Sequence, residues 1–381
     1  MIKSKKGVVR LDRRLGIQKH RLGIWLLAGT LLTLSLINCL KPAGEFSDTE
    51  RRKLKQLPAW SIGSFLEEGY GEKFEDAAMD QFPCRDIFRR LKAGSLYYLF
   101  GVKDNNGIYL VDGYAAKLNY PLNEASLKNA LDKFRDIYDI WLAKGNGRIY
   151  TSIVPDKGYY LAEQNGYPAL DYAAMLQIIR EGMEYSDYID LTDCLGIEAY
   201  YRTDTHWRQE KLLPVAKRLA ERMGFLKLLS NQYEEITPDI PFYGVYYGQS
   251  ALPLGSETIS YLTNGVIEGC QVYNYETKET TPVYVTDKLK GRDPYEMFLS
   301  GAVPLLTIEN PQAGTDKELI VFRDSFASSL LPLLSEGYSK ITLVDIRYIK
   351  SSLLGNYIEF KDQDILFLYS TLILNDSYSL K

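Results

Sequence analysis

The sequence predicts an α/β domain that follows a single membrane-spanning helix. Segments with helical spacing of apolar residues alternate with short apolar runs typical of buried strands, both in residues 123–223 and after residue 317. Near the N-terminus, 19 consecutive residues from Leu22 to Leu40 carry no charge. The chain has 381 residues, 46% of them hydrophobic, and is therefore long enough to bury a large core.

The N-terminal segment is expected to anchor the chain in a membrane. Residues 1–21 are rich in Lys and Arg with a single acid, Asp12, and are expected to form a cytoplasmic basic tail. Residues 22–40 are long enough to cross a bilayer as a helix. A cleaved signal peptide is the alternative, but Lys41 stands where a cut after Ala43 would need a small residue. Everything after residue 40 is therefore expected outside the cytoplasm.

Charge and cysteine content exclude several function classes. The formal net charge of the whole chain is −4, and the part beyond the basic tail is more acidic still, which argues against a nucleic-acid partner. Cys84, Cys194 and Cys270 are too few and too scattered to indicate a disulfide framework or a zinc site. One bridge among them stays open, and no metal or cofactor is expected.

Residues 41–104 are predicted to form a helical stalk or collar. Phe65, Tyr70 and Phe74 recur at helical spacing, and Pro83 ends the pattern. The turn residues Asn105-Asn106-Gly107 then precede an apolar run and indicate a small β-hairpin. The globular domain is therefore expected to occupy residues 105–381.

Within this domain, helix and strand patterns alternate as in a layered α/β fold. Asn123 is a good N-cap for the first helix, and Pro214 interrupts the third. The strand ending at Val154 leads into a loop that carries Lys157, at the strand end where open α/β sheets place ligands. Lys157 is therefore a candidate substrate-binding residue, with a solvated loop cation as the alternative. The predicted helices span about 123–141, 172–183 and 209–223, and the predicted strands span 149–154, 188–191, 319–322, 341–344 and 365–368.

Residues 226–315 differ in character and are predicted to form a β-rich insertion. They are rich in Tyr, Thr, Gly and Pro, and residues 271–275 alternate in the manner of a strand. Tyr246 and Tyr247 lie in a tyrosine-rich stretch, residues 242–248, that suits a surface for binding sugars or other polar ligands. A buried β-segment is an equally good interpretation of this stretch.

Three residues could supply nucleophilic catalysis. The chain has only two histidines, and the one outside the basic tail is His206, two residues after Asp204. Histidine is the usual base at neutral pH, and Ser325 follows an apolar run at a predicted strand-to-helix turn. Asp204 can orient His206, His206 can activate Ser325, and the Ser325 amide can stabilise an oxyanion. The alternative is structural, with Asp324 as an N-cap that leaves Ser325 buried in the first helical turn.

These residues also carry a family resemblance. Residues 201–207 (YRTDTHW), 323–326 (RDSF) and 344–348 (VDIRY) resemble motifs of the DHHW family of bacterial surface proteins. That family is similar to the SGNH-hydrolase-like proteins that O-acetylate alginate and other exopolysaccharides. Two positions depart from the patterns: Thr205 replaces the second residue of the DHHW signature, and Arg323 stands where SGNH serine motifs often carry Gly.

The resemblance implies an SGNH-hydrolase-like α/β/α domain with permuted motif order, in which the Asp-His pair precedes the serine. It implies that Asp204 orients the base, His206 is the base and Ser325 forms an acyl-enzyme, with Arg347 and Tyr348 lining the site. The implied function is transfer of acetyl groups to a cell-surface or secreted polysaccharide, from a donor supplied by a membrane-bound acyltransferase. A carbohydrate esterase with the same triad and a non-catalytic polysaccharide-binding or assembly subunit are the alternatives.

Overall fold

The computed structural model describes residues 5–66 and 68–381, without the side chains of residues 5–20 and Cys39. The first four residues of the predicted basic tail therefore lie outside the described residues. The chain divides into two compact units, with the division after Lys92. The predicted boundaries of the stalk, residues 41–104, stay a prediction.

The first unit begins with one long helix, α1 (Lys5–Leu40, 36 residues). Its segment Arg21–Asn38 is long and apolar enough to cross a membrane, and none of that segment is buried. The predicted anchor at residues 22–40 thus has the helical conformation and the composition that a membrane span needs.

The rest of the first unit consists of short helices and a two-stranded sheet. Its elements are β1 (Phe46–Ser47), β2 (Arg52–Lys53), α2 (Ile62–Phe65), α3 (Tyr70–Asp80) and α4 (Arg85–Leu99), which continues into the second unit. The Arg52 guanidinium donates to both carboxylate oxygens of Asp80, at 2.7 and 2.6 Å. This bidentate pair lowers the pKa of Asp80 to about 2 and ties β2 to the end of α3.

The second unit contains the remaining strands and helices. Its strands are β3 (Asp104–Asn105), β4 (Ile108–Val111), β5 (Tyr114–Lys117), β6 (Ile149–Val154), β7 (Asp187–Tyr188), β8 (Glu234–Ile236), β9 (Tyr261–Thr263), β10 (Gln271–Asn274), β11 (Glu279–Pro282), β12 (Leu305–Glu309), β13 (Glu318–Arg323), β14 (Lys340–Val344) and β15 (Asp364–Ser370). Its helices are α5 (Glu124–Ile137), α6 (Gly158–Leu161), α7 (Tyr172–Gly182), α8 (Leu213–Met223), α9 (Val245–Ser250), α10 (Gly265–Gly269), α11 (Ala327–Leu330) and α12 (Thr371–Leu374).

A mixed eight-stranded sheet organises this unit, in the order β11-β10-β12-β14-β13-β15-β6-β7. The half from β14 to β7 is parallel, while β12, β10 and β11 extend it in antiparallel fashion. In the parallel half the carboxyl ends of β13, β14, β15 and β6 meet at one edge. Open α/β sheets bind ligands at that edge.

Helices cover both faces of the sheet because residues of the central strands alternate between two cores. In β13, Leu319 and Val321 face the core that includes α8, whereas Ile320 and Phe322 face the core that includes α5 and α7. Each fully buried side chain of this kind contributes about 1.5–3 kcal/mol. The result is a layered α/β fold with β13 at its centre.

The structure confirms that the domain is α/β, with strands close to every predicted strand of the central sheet. The insertion itself stays a prediction; its strands β10, β11 and β12 join the central sheet, because β12 pairs with β14, β10 with β12 and β11 with β10, all in antiparallel fashion. One alternative needs correction. The stretch at residues 242–248 is not a β-segment, since α9 begins within it at Val245. Cys84, Cys194 and Cys270 are free thiols.

Candidate active site

Ser325 lies on the turn between β13 and α11, at the carboxyl edge of the sheet. The Asp324 carboxylate shapes this turn by accepting from the Phe326 amide at 3.0 Å and from the Ser370 amide at 2.7 Å. Because Ser370 ends the neighbouring strand, these bonds fasten the turn to the sheet. Asp324 is fully buried, whereas Ser325 is partly exposed, so the N-cap alternative that buries Ser325 does not apply.

Asp204, His206 and Ser325 form a continuous hydrogen-bonded relay. His206 Nδ1 lies 2.6 Å from Asp204 Oδ1, and His206 Nε2 lies 2.8 Å from Ser325 Oγ. A carboxylate only accepts hydrogen bonds, so Nδ1 carries the imidazole proton and Nε2 is left to accept from the serine hydroxyl. This is the arrangement by which a histidine can take a proton from a serine.

The loop that carries the acid and the base is held from both sides. Its ends pair at the bridge between Tyr200 and Trp207. The Glu257 carboxylate accepts from the Thr203 amide at 2.7 Å and from the Arg202 amide at 2.8 Å. These bonds satisfy backbone groups that a loop conformation would otherwise leave unpaired.

The amino end of α9 binds the second carboxylate oxygen of the acid. Asp204 Oδ2 accepts from the Val245 amide at 2.8 Å, which satisfies one of the free amides at a helix start. Gly244 makes this close approach feasible, since a Cβ at that position would overlap the Asp204 main chain and Cβ. Both oxygens of Asp204 are therefore fixed, one toward His206 and one toward α9.

The Tyr295 ring stacks on one face of the His206 imidazole. The two ring centroids are 3.9 Å apart and the planes are within 7° of parallel. The Tyr295 hydroxyl donates to Ser329 Oγ at 2.8 Å. Phe326 contacts the imidazole in a tilted arrangement at 5.1 Å. The imidazole is thus enclosed by aromatic rings while its two nitrogens stay in the relay.

The backbone amide of Ser325 is available as a hydrogen-bond donor. The structure gives the Ser325 amide no acceptor among residues 5–66 and 68–381, although the neighbouring amides of Asp324 and Phe326 are both satisfied. An amide at this position can bind the oxyanion of a tetrahedral intermediate.

Arg323, which departs from the glycine of SGNH motifs, points into the interior. It is fully buried and donates to Ser328 Oγ at 3.1 Å and to the carbonyl oxygens of Gly301 and Val303 at 3.4 and 3.5 Å. Burial lowers the pKa of its guanidinium, and the Asp345 carboxylate opposes that shift. The side chain therefore lies inside the domain and does not occupy the surface around Ser325.

Two predicted substrate-binding residues are buried, and these assignments are corrected. Lys157 is 2% exposed, and its Nζ donates to the carbonyl oxygen of Tyr201 at 2.9 Å. Tyr246 is 5% exposed, donates to Thr205 Oγ1 at 3.0 Å and lies against Lys157 Nζ at 4.9 Å. Local sequence does not decide this burial, because the loop that both residues contact is distant in the chain. Both contact the loop that carries Asp204 and His206.

Of the other predicted binding residues, Tyr348 and Tyr247 are accessible, whereas the Arg347 side chain is only 14% exposed. Tyr348 is 48% exposed beside the Arg347 guanidinium, which is held by the carboxylate of Asp345 at 2.6 Å. Arg347 and Tyr348 follow β14 and so lie at the same sheet edge as Ser325. Tyr247 is partly exposed and packs against Tyr243, with ring centroids 4.6 Å apart.

Sequence reasoning missed several residues of the site, chiefly Glu257, Gly244 and Tyr295. Their side chains or amides reach the relay from segments far along the chain, and only the Asp293-Pro294 turn signal marks the neighbourhood of Tyr295. Among the side chains that the structure describes, no three of His, Cys, Asp or Glu are grouped so that they could hold a metal ion.

No protein-family model matches this chain, and no curated protein matches it. Solved structures with a similar fold include a DHHW family protein from Eubacterium siraeum, 20% identical, with a TM-score of 0.56 over 71% of this chain and 92% of that one. They also include Bacillus cereus PatB1, 16% identical, with a TM-score of 0.54 over 70% of this chain and 96% of that one. PatB1 is also known with a sulfonyl adduct. The predicted resemblance to the DHHW family is therefore confirmed at the level of the fold.

Proposed function

We propose that this chain is a membrane-anchored, extracytoplasmic O-acetyltransferase that modifies a cell-surface or secreted polysaccharide through an acyl-enzyme on Ser325. One observation carries the proposal: the unbroken relay from Asp204 through His206 to Ser325, with nitrogen-to-oxygen distances of 2.6 and 2.8 Å. The α1 helix would hold the basic tail inside the cell and the α/β domain outside.

In the first half-reaction, Ser325 Oγ attacks the carbonyl carbon of an acetyl ester while its proton passes to His206 Nε2. The tetrahedral oxyanion binds the Ser325 amide, and Asp204 stabilises the imidazolium through Nδ1. The ester bond of the donor then breaks, and the departing oxygen takes the proton from Nε2. An acetyl group remains on Ser325.

In the second half-reaction, a sugar hydroxyl of the polysaccharide attacks the acetyl-enzyme. His206 Nε2 takes the proton of that hydroxyl, and the collapse of the intermediate returns the proton to Ser325 Oγ. We assign Tyr348, Tyr247 and the less exposed Arg347 to acceptor binding, since an aromatic face and a cation suit a polar sugar chain.

The acetyl donor in this proposal comes from a membrane-bound acyltransferase. The support for it is the motif resemblance to alginate-acetylating proteins together with α1, which would keep the domain beside the membrane. This arrangement delivers acetyl groups to a domain that has no access to cytoplasmic pools.

The esterase alternative uses the same relay with water as the acceptor. One experiment distinguishes an esterase from a transferase. Purified full-length protein in detergent is given an activated acetyl ester with and without acetyl-free envelope oligosaccharides. A transferase yields acetylated oligosaccharide and releases less free acetate when the acceptor is present. An esterase releases acetate whatever acceptor is offered, and it deacetylates the native polysaccharide.

The third alternative, a binding-only subunit, is separated by the nucleophile. Ser325→Ala should abolish turnover of the activated ester, while Ser339→Ala, which changes a half-buried serine before the amino end of β14, at the sheet edge opposite Ser325, should not. Wild-type protein that binds the polysaccharide and never releases the leaving group would indicate the binding subunit.

A further inference from the structure

We propose that Tyr295 is a positioning residue that fixes the orientation of the His206 imidazole relative to the segment that carries Ser325. This inference rests on the proposed function, because it assigns a role within the same relay. It concerns a residue that contributes neither the nucleophile, the base nor the acid.

The Tyr295 side chain contacts both the His206 imidazole and the helix that follows Ser325. The Tyr295 ring lies flat on the imidazole, 3.9 Å away and within 7° of parallel. Its hydroxyl donates to Ser329, which lies in α11, the helix that follows the nucleophile turn. Burial holds the pKa of this phenol well above its ordinary value, so the hydroxyl keeps the proton it donates.

The two hydrogen bonds of the imidazole do not fix its tilt. The bonds at Nδ1 and Nε2 fix two points of the imidazole, and the ring can still tilt about the line that joins them. A flat aromatic contact opposes that tilt and keeps the Nε2 lone pair directed at Ser325 Oγ. A misplacement of about 1 Å in a catalytic group can cost on the order of 100-fold in rate.

The Tyr295 ring also stabilises the positive charge on the imidazole. The imidazole becomes positively charged when it takes the serine proton, and the electron-rich face of a tyrosine ring attracts a cation held against it. Asp204 contacts the imidazole at its edge, Asp324 accepts from the Phe326 amide of the turn, and Lys157 donates to the carbonyl oxygen of Tyr201. Tyr295 is the residue that covers the flat face of the imidazole.

The test measures single-turnover acylation of full-length protein in detergent by an activated acetyl ester. Tyr295→Leu removes the flat contact and should slow acylation about 10- to 100-fold at unchanged KM. Tyr295→Phe keeps the stack and should slow acylation only a few-fold. Tyr338→Leu is the matched control, because Tyr338 is buried and bonded to Asp364 near the amino ends of the strands. It should acylate at the wild-type rate per folded molecule.

Two further measurements separate positioning from support of the fold. With only two histidines in the chain, the ring protons of His206 can be assigned by NMR, and stacking on Tyr295 should shift them upfield. The shift should persist in Tyr295→Phe and disappear in Tyr295→Leu. In a His206→Ala background, Tyr295→Leu should cause no further loss of residual acylation, because its effect passes through the imidazole.

If Tyr295→Leu does not fold, Tyr295→Phe and Ser329→Ala give the same test. The two share one hydrogen bond, so the double variant should be no slower than the slower single variant. The proposal is overturned by wild-type acylation in Tyr295→Leu, by a further loss in the His206→Ala background, or by additive effects of the two hydroxyl deletions. Absence of an acyl-enzyme in the wild type would instead overturn the proposed function, while the NMR shift still reports the stacking.

Discussion

The substitution Asp204→Asn probes how the acid holds the base, because three donors converge on that carboxylate. Oδ1 faces His206 Nδ1 at 2.6 Å and the His206 amide at 3.1 Å, and Oδ2 accepts from the Val245 amide at 2.8 Å. Asparagine offers one oxygen and one NH2 group in place of two acceptors. Either the NH2 group faces the Val245 amide, or it faces Nδ1 and drives the imidazole proton to Nε2.

When the NH2 group faces Nδ1, Nε2 carries the proton and cannot accept one from Ser325. Catalysis therefore requires the orientation in which the NH2 group faces the Val245 amide. Opposing two buried donors costs about 1–3 kcal/mol, and a neutral acceptor binds the imidazolium about 1–2 kcal/mol less tightly than a carboxylate. Together these effects predict a loss of about 100- to 1,000-fold in kcat/KM. Release of the leaving group from an activated acetyl ester measures it.

Asp187→Asn is the matched control, because it makes the same change at an exposed carboxylate in β7, the edge strand of the sheet. It should leave kcat/KM unchanged. A folded Asp204→Asn protein that keeps more than a tenth of the wild-type kcat/KM would refute this account of the acid.

Three further predictions concern the support of the site and its location. Gly244→Ala should lower ester turnover at least tenfold by displacing Asp204, whereas Gly255→Ala, where a Cβ meets nothing within 4 Å, should not. Burial lowers the pKa of Lys157 to about 7, so above that pH the folded protein holds fewer protons than the unfolded chain and gains stability as pH rises. Between pH 7 and 9 the free energy of unfolding should rise by about 1–3 kcal/mol in urea titrations, and Lys157→Met should remove this rise. In intact or wall-stripped cells, added protease should digest the domain after Lys41; protection of that domain would contradict the proposed topology.

The central strands and the relay could be predicted because their signals are local. The apolar run before Ser325 specifies a buried strand, and the rarity of histidine leaves His206 as the candidate base of the α/β domain. The two-residue spacing to Asp204 also suits a loop whose side chains meet on one side.

The remaining features depend on which segments meet, and local patterns do not carry that information. Alternation predicts β10 as a strand, yet its place in the central sheet follows from pairing with β12. Lys157 lies in a segment typical of an exposed loop, and the sequence leaves Tyr246 open between an exposed platform and a buried segment. Both are buried because each contacts the loop that carries Asp204 and His206. Tyr295 follows a turn signal that says nothing about the imidazole it covers.

The most direct test of the central claim is the mass of the protein after brief exposure to an activated acetyl ester. Full-length protein is quenched with acid during the first turnover, and its peptides are mapped. We predict one acetyl group on the peptide that contains Ser325, its absence in Ser325→Ala, and its loss when an acceptor oligosaccharide is added before the quench. Ester turnover with the acetyl group on another residue, or turnover that persists in folded Ser325→Ala, would contradict the account.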